Sequence, residues 1–445
     1  MATAELGVLT PLGIVGLVAT LLTSLVLGLA LRRGLDVAIK PSFVAALTYH
    51  VIVQWPAMLR SGEVQEFLGV PGDFVLLVHG FGVLLAVLAV RTVRAPARAV
   101  WDRILAWDAA APAVGRLEIL VVLALLAAAT AVYLAYVPWT STGLYAILFD
   151  PSTSKEAREA SLKLLENPVL AYMHLFAAKV LAPVLACLLV LRPLPSRGRA
   201  LAFGARVCVF VFAVAAASLS GARMFPLLVT LAAAGAFMLK DPRRIRVPLL
   251  VAFAVLGLYI LAAQSRLREG EALTPGALTE YAFVNVLWRR VLGATVTNGM
   301  FTVDFAQLHG FLGAFGWPRL ADLYGFEPTS LGSAVYQAYY LDSPVPSGVA
   351  NTSMVFVYYA YFGLVAIPIA VLLALSLDVV VPLAGRLSPS YTVCLLVVTA
   401  LGTLSLTYSE FTTALVTHGI LTGILFVTGL AFAFGHIRRP ERRGA

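Results

Sequence analysis

Eleven apolar stretches divide this chain: Gly7–Leu31, Ser42–Leu59, Phe74–Val90, Leu117–Val137, Val169–Leu191, Leu201–Leu219, Met224–Leu239, Val247–Gln264, Ser353–Ser376, Tyr391–Tyr408 and Thr413–Phe434. Each is close to the roughly 20 residues that a helix rising about 1.5 Å per residue needs to cross a hydrocarbon core. A segment in lipid has no water to satisfy its backbone, so only helices and closed barrels span it. The length of these stretches, and the absence of strict alternation within them, select helices. The fold class expected is therefore all-α, a polytopic helical bundle of about eleven spans.

Composition agrees: 60% of residues are hydrophobic and 12% charged, and mean hydropathy is +0.90. The first stretch is too long for a signal-peptide core and has no basic segment before it, so it reads as a span. Three cysteines, Cys187, Cys208 and Cys394, all fall inside stretches and read as small core residues, not as a zinc or disulfide framework. The net charge of +9 is distributed as a topology signal, not as a nucleic-acid surface. When sides are alternated loop by loop, 21 of the 32 lysines and arginines fall on one side. The positive-inside rule then places the N-terminus outside and the C-terminus in the cytoplasm.

Between the eighth and ninth stretches lies one long insert, residues 265–352, which this topology places outside. It is rich in aromatic and aliphatic residues and is expected to fold against the outer surface. Tyr281, Val284, Trp288, Val291 and Thr295 recur at helical spacing and predict an amphipathic helix parallel to the membrane. The connection 92–116, with Trp101, Leu105 and Trp107, predicts an interfacial helix on the opposite side. No internal repeat is visible. One packed transmembrane domain, residues 1–445, is the organisation expected.

Few chemistries survive inspection. The six histidines form no HxxxH or HExxH pattern, so no metal site is expected, and no phosphate loop of the GxxxxGK[ST] type is present. Arginines on the outer side remain. Arg223 follows Ser218–Gly221 at the outer start of the seventh stretch, where helix N–H groups favour an anion; lipid snorkelling is the plainer role there. Arg266 and Arg268 leave the eighth stretch, Arg289 and Arg290 sit on the amphipathic helix, and Arg319 follows Trp317-Pro318. Guanidinium forks suit phosphate oxygens. His309, the insert's histidine, and Glu410, an acid in an apolar turn, are the candidate proton acceptors; Glu410 could equally be a helix-start residue. His174 and Lys179 are polar groups within the fifth stretch, suited to lining a cavity or pairing with a neighbouring helix. Asn351–Ser353 opens the ninth stretch, where helix capping is expected.

The run GVANTSMVFVYYAYFGL, Gly348–Leu364, resembles the segment after the large outer loop of the O-antigen polymerase family, with Tyr359 to Gly363 matching its aromatic step into Phe-Gly. Ser218–Arg223 is similar to the small-polar-Arg start of a middle span in that family, and the architecture is alike over most of the chain. The resemblance implies a metal-independent and cofactor-free glycosyltransferase in the cytoplasmic membrane, with its active site facing outside. It would extend a glycan carried on undecaprenyl pyrophosphate by transfer to a second lipid-linked repeat unit. Membrane lipid surrounds it, a chain-length regulator is a candidate partner, and no nucleic acid is implied. On this reading Arg223, by its place in the motif, binds pyrophosphate; sidedness and spacing add Arg289 to it, with Arg266 and Arg290 in support and His309 or Glu410 as the base. A ligase using the same chemistry, a transferase using a single-sugar polyprenyl monophosphate with an acid such as Glu63, Glu66 or Asp73, and a lipid-linked oligosaccharide transporter are the alternatives.

Overall fold

The computed structural model describes residues 10–107, 114–150, 167–192, 198–222, 224–240, 274–313, 330–340 and 349–437, with isolated positions within 153–161 and 255–266. Among them the chain is helical and without strands, apart from one isolated bridge between Leu387 and Ile437. Nine described helices are long and apolar enough to cross a membrane: Pro11–Arg33, Pro41–Leu59, Pro71–Arg91, Arg116–Tyr136, Pro168–Leu191, Arg199–Ser218, Met354–Ala384, Pro389–Thr407 and Phe411–Ala433. The seventh predicted stretch forms the shorter apolar helix Met224–Lys240. Most of the eighth, Val247–Gln264, lies outside the described residues. The chain is a membrane-embedded helical protein, and it divides into two compact units.

The first unit holds residues 1–98, 288–379 and 403–414. Its first span shows how such a helix chooses a face. Gly13, Gly16, Thr20, Thr23, Leu27 and Ala30 are buried, a repeat of alternating three and four residues, while Ile14, Val18, Leu21, Leu25 and Leu29 are exposed. In lipid, large apolar side chains gain nothing by turning inward, so small and hydroxylated residues form the helix contact. Within this unit His50 Nδ1 donates to Gln54 Oε1 (2.8 Å), and His50 Nε2 accepts from the Trp55 indole (3.0 Å). Gln54 in turn donates to Thr23 (3.1 Å). His79 Nδ1 meets the Thr20 hydroxyl at 3.3 Å. Both histidines sit in π-helical turns, His50–Gln54 and Leu76–Gly80.

At one end of this unit Lys40 is fully buried and donates to the carbonyls of Ala89 and Thr92. Burial holds its pKa below the ordinary lysine value, with Asp378 and Asp36 opposing. Asp378 accepts from Ser42 N (2.9 Å), Ser42 Oγ (2.7 Å) and Thr92 Oγ1 (3.1 Å). Asp378→Ala strips three charge-assisted bonds from buried donors and is expected to cost about 3 kcal/mol. Thermal unfolding in detergent checks this against Ser376→Ala, an exposed hydroxyl bonded to its own helix, which should leave the midpoint unmoved.

The second unit holds residues 99–287, 380–402 and 415–445. The predicted interfacial helix forms as Arg94–Leu105, but Val100, Trp101 and Ile104 are buried. Arg103 ties it down by donating to the carbonyls of Ala384 and Gly385 and to Thr392 Oγ1. Of the residues expected at the interface, Trp101 is covered by protein, while Leu105 and Trp107 stay half-buried. Buried Glu118 pairs with His436 at 2.9 Å and accepts from Gly115 N at 3.0 Å, capping the fourth span.

Candidate functional site

In the insert a short α-helix, Pro275–Glu280, runs into a π-helix, Tyr281–Gly293, where an α-helix was expected. The wider turn, with its i→i+5 bonding, shifts the buried positions to Tyr281, Ala282 and Val286, leaving Val284, Trp288 and Val291 exposed. Helix Ala294–His309 follows. An ideal Cβ on its Gly299 would lie 2.5 Å from the Phe356 ring, so the backbone rests directly on the ninth span. Arg60, at the end of the second span, fixes this corner. Its Nη1 donates to Gly293 O (3.2 Å) and Thr297 Oγ1 (2.8 Å), and its Nε and Nη2 donate to Glu63 (3.0 and 2.6 Å).

The opposite side of helix Ala294–His309 carries Asn298, Phe301, Asp304 and Gln307 at three-residue intervals. Around them the first unit builds an aromatic wall. Phe301 stacks on Tyr339 with centroids 4.7 Å apart and planes 7° apart, and Phe67 lies 5.4 Å from Phe301. Tyr340 meets Phe301 edge-on at 5.5 Å and stacks on Tyr336 at 4.9 Å. Polar groups rim the wall. The Tyr339 hydroxyl donates to Asp304 Oδ2 at 2.5 Å, and the Tyr340 hydroxyl donates to Asn298 Oδ1 at 2.7 Å. Asn298 Nδ2 donates to the Asn351 carbonyl at 2.7 Å. Further along, the Tyr359 hydroxyl donates to Asp73 Oδ2 at 2.6 Å, and Gln307 Nε2 reaches Val70 O at 3.2 Å. Burial raises the Tyr339 pKa, reinforced by its bond to and repulsion from Asp304, so the phenol stays a donor.

Flat aromatic faces edged by carboxylates and amides have a definite chemical preference. The faces accept the C–H surface of a ring, and the edges accept and donate to hydroxyls around it. Phe67 and Asn351 are exposed, and Phe301, Asp304 and Tyr339 are half-buried, so a ligand can reach the wall. Tyr339→Phe keeps the ring and removes the hydroxyl bond to Asp304. It is expected to lower thermal stability by about 1–2 kcal/mol.

The residues nominated from sequence are distributed differently. Arg289 and Arg290 are exposed on the π-helix, and the Arg266 guanidinium lies over the Tyr281 ring at 5.9 Å. Arg223, Arg268 and Arg319 lie outside the described residues. His309 ends its helix exposed, with its ring 4.4 Å from Phe305. The Glu410 carboxylate accepts from Thr412 and, at 3.4 Å, from Thr413, and its carbonyl takes Ala414 N at 2.9 Å, the contacts of a helix-start residue. Ser353 stands at the N-cap position of the ninth span, but its hydroxyl donates to the Leu406 carbonyl and accepts no N–H of the helix. Asp304, Asn298 and Arg60 carry no signal in the sequence, whereas Tyr339 lies in the aromatic run Tyr336–Tyr340. Asp73 was weighed as an acid of the first outer segment, and the structure bonds it to Tyr359 within the Phe-Gly motif. Among the described residues no group of three or more metal-ligating side chains gathers. Comparison with known proteins finds no matching family model, no similar curated protein and no similar solved structure.

Proposed function

We propose that this protein polymerises oligosaccharide repeat units carried on undecaprenyl pyrophosphate, on the outer face of the cytoplasmic membrane. The aromatic wall of Phe67, Phe301, Tyr339 and Tyr340, edged by Asp304 and Asn298, carries the reading, because it is chemically suited to a sugar ring. Its Phe301, Tyr339 and Tyr340 stand on the insert, which the distribution of basic residues puts outside in a topology of eleven spans, N-terminus out and C-terminus in. The leaving group would be a lipid pyrophosphate, whose developing charge arginines can stabilise without a divalent ion. Arg223 and Arg289 take that role, with Arg266 and Arg290 in support. His309 or Glu410 would receive the acceptor hydroxyl's proton, and a chain-length regulator would be a fitting partner.

The test incubates the purified protein with undecaprenyl-pyrophosphate oligosaccharide and separates the products by size. A ladder at multiples of the repeat unit is expected, and Arg289→Gln should reduce its total roughly tenfold, the scale of one lost charge-assisted bond. Single additions would point to a ligase or a single-sugar transferase, and transbilayer movement without turnover to a transporter.

A further inference from the structure

The second span departs from the α-helix near its middle. Residues His50–Gln54 form a π-helical turn, closed by the bond from Trp55 N to His50 O. At 3.6 residues per turn, side chains five apart point in different directions. The wider turn brings them into line, and the Trp55 indole reaches back to His50 of its own helix. The two ring centroids are 6.1 Å apart with planes at 62°. Such single π-turns inside a helix are frequent at functional sites.

The protons around His50 can be assigned one by one. Thr23 Oγ1 donates to Ala19 O (2.9 Å), so it accepts from Gln54 Nε2 (3.1 Å). That orientation leaves Gln54 Oε1 as the acceptor for the His50 Nδ1–H at 2.8 Å. An indole N–H can only donate, so Trp55 takes the lone pair of His50 Nε2 at 3.0 Å. His50 in this state is a neutral imidazole. Ser24 Oγ also stands 2.8 Å from Nε2, and it lies 3.0 Å from Thr20 O. Nε2 has a single lone pair in the ring plane, so the indole and the hydroxyl compete for it. With the serine proton on Thr20 O, Ser24 offers Nε2 an oxygen lone pair, which only an Nε2–H can use. Neutral His50 satisfies Trp55, and charged His50 satisfies Ser24.

The elements packed against His50 bring few charges. The first span faces it with the hydroxyls of Thr20, Thr23 and Ser24, and Arg32 and Arg33 lie at that span's far end. The third span brings His79, whose Nδ1 meets Thr20 Oγ1 at 3.3 Å; an ideal Cβ on Gly16 would lie 2.8 Å from its Nε2. The ends of that span carry Asp73, bonded to Tyr359, and Arg91. Tyr49, next to His50, has a buried hydroxyl with no hydrogen-bond partner among the described residues. Helix Ala294–His309 carries Asp304, bonded to Tyr339, and His309, exposed at its end. Among the described residues neither His50 nor His79 bonds a carboxylate.

An ionisable group at membrane depth is costly and tends to be functional, and a neutral bonding role alone would need no imidazole. We propose that His50 is a proton-binding site: a proton taken up on Nε2 exchanges the Trp55 indole for the Ser24 hydroxyl. Ser24 and Trp55 are half-buried at the edge of the site, so the indole has room to turn away. Trp55 begins the last turn of the span, Trp55–Leu59, and Arg60 directly after it holds Gly293 O and Thr297 Oγ1 of the insert. Release of the indole loosens the turn that carries this anchor, so the proton bears on the insert from within the membrane. The site goes beyond the polymerase reading and does not depend on it.

Tryptophan fluorescence of the full-length protein in detergent, followed from about pH 8 to pH 4, tests this without any turnover. A reversible step is expected, because the indole loses its acceptor and gains a charged neighbour. Trp55→Phe should remove the step, and so should His50→Gln. Ser24→Ala keeps the neutral bonds and takes away the acceptor of the charged form. It should move the midpoint about one to two pH units lower, the scale of one hydrogen bond to a charged group, and it decides the matter if His50→Gln does not fold. A step that survives His50→Gln and disappears in His79→Gln would put the proton on His79 and overturn the site. A Ser24→Ala midpoint equal to the parent's overturns it too, as does the absence of any step that Trp55→Phe removes. Hydrogen exchange at Gly293–Thr297 that is no faster below the step than above it overturns the link to the insert.

Discussion

Gly143→Ala is expected to cost the second unit about 3 kcal/mol or more, enough to remove most of the folded protein from detergent solution. An alanine Cβ at this position would lie 2.5 Å from the Ser220 carbonyl oxygen and 2.6 Å from both the nitrogen and Cα of Gly221. All three are backbone atoms, so no rotamer change relieves the clash. The turn they belong to is held on both sides. Leu144 N donates to Leu219 O at 3.2 Å, and Thr142 Oγ1 caps the following helix through Tyr145 N at 3.1 Å. Gly221 itself adopts φ 73°, a conformation open chiefly to glycine. The same turn carries the run that leads to Arg223, so any polymer ladder should vanish with the fold. Gly28→Ala is the matched control: its Cβ would meet nothing within 4 Å, and its midpoint should stay within about 0.5 kcal/mol of the parent. A Gly143→Ala protein that unfolds where the parent does would show that the two backbones are not in contact.

The helical class, and nine of the spans among the described residues, were legible because length and apolarity are local properties. The inward face of the first span follows glycines, threonines and an alanine that recur every three or four residues, a pattern that a search for apolar stretches passes over. Three features were hidden for physical reasons. The π-turns at His50, His79 and Lys179 insert one residue into a helix whose composition reads as ordinary, so the 3.6-residue period misassigns the faces that follow. The break in the last span, at Thr417–Gly419, falls inside a stretch whose average hydropathy is that of an unbroken span. The aromatic wall depends on pairs distant in sequence. Asp304 meets Tyr339 across 35 residues, and Asp73 meets Tyr359 across 286. Arginine counting found the charged residues with a topological signature, but nothing local to Asp73 or Asp304 marks the phenol that each of them meets.

Asp304→Asn and Tyr339→Phe, made singly and together, are expected to show that the wall acts as one unit. Asp304→Asn is isosteric, but it replaces the carboxylate that accepts from Tyr339 with a neutral amide. A hydrogen bond to a charged group contributes about 1.5–3 kcal/mol, so kcat/KM for ladder formation should fall roughly 10- to 100-fold. Tyr339→Phe should fall by a similar factor, because it leaves the carboxylate without the donor that orients it. If both losses trace to one preorganised edge, the double variant should be little worse than either single one, with a coupling energy of about 1–2 kcal/mol. Phe301→Ala removes the central ring of the stack and should raise KM for the oligosaccharide more than it lowers kcat, since a flat face contributes to binding of the whole sugar and not to charge developing at the anomeric carbon. Strictly additive effects of Asp304→Asn and Tyr339→Phe would mean that the two residues serve the fold independently. A Phe301→Ala protein with unchanged KM would separate the wall from the sugar altogether.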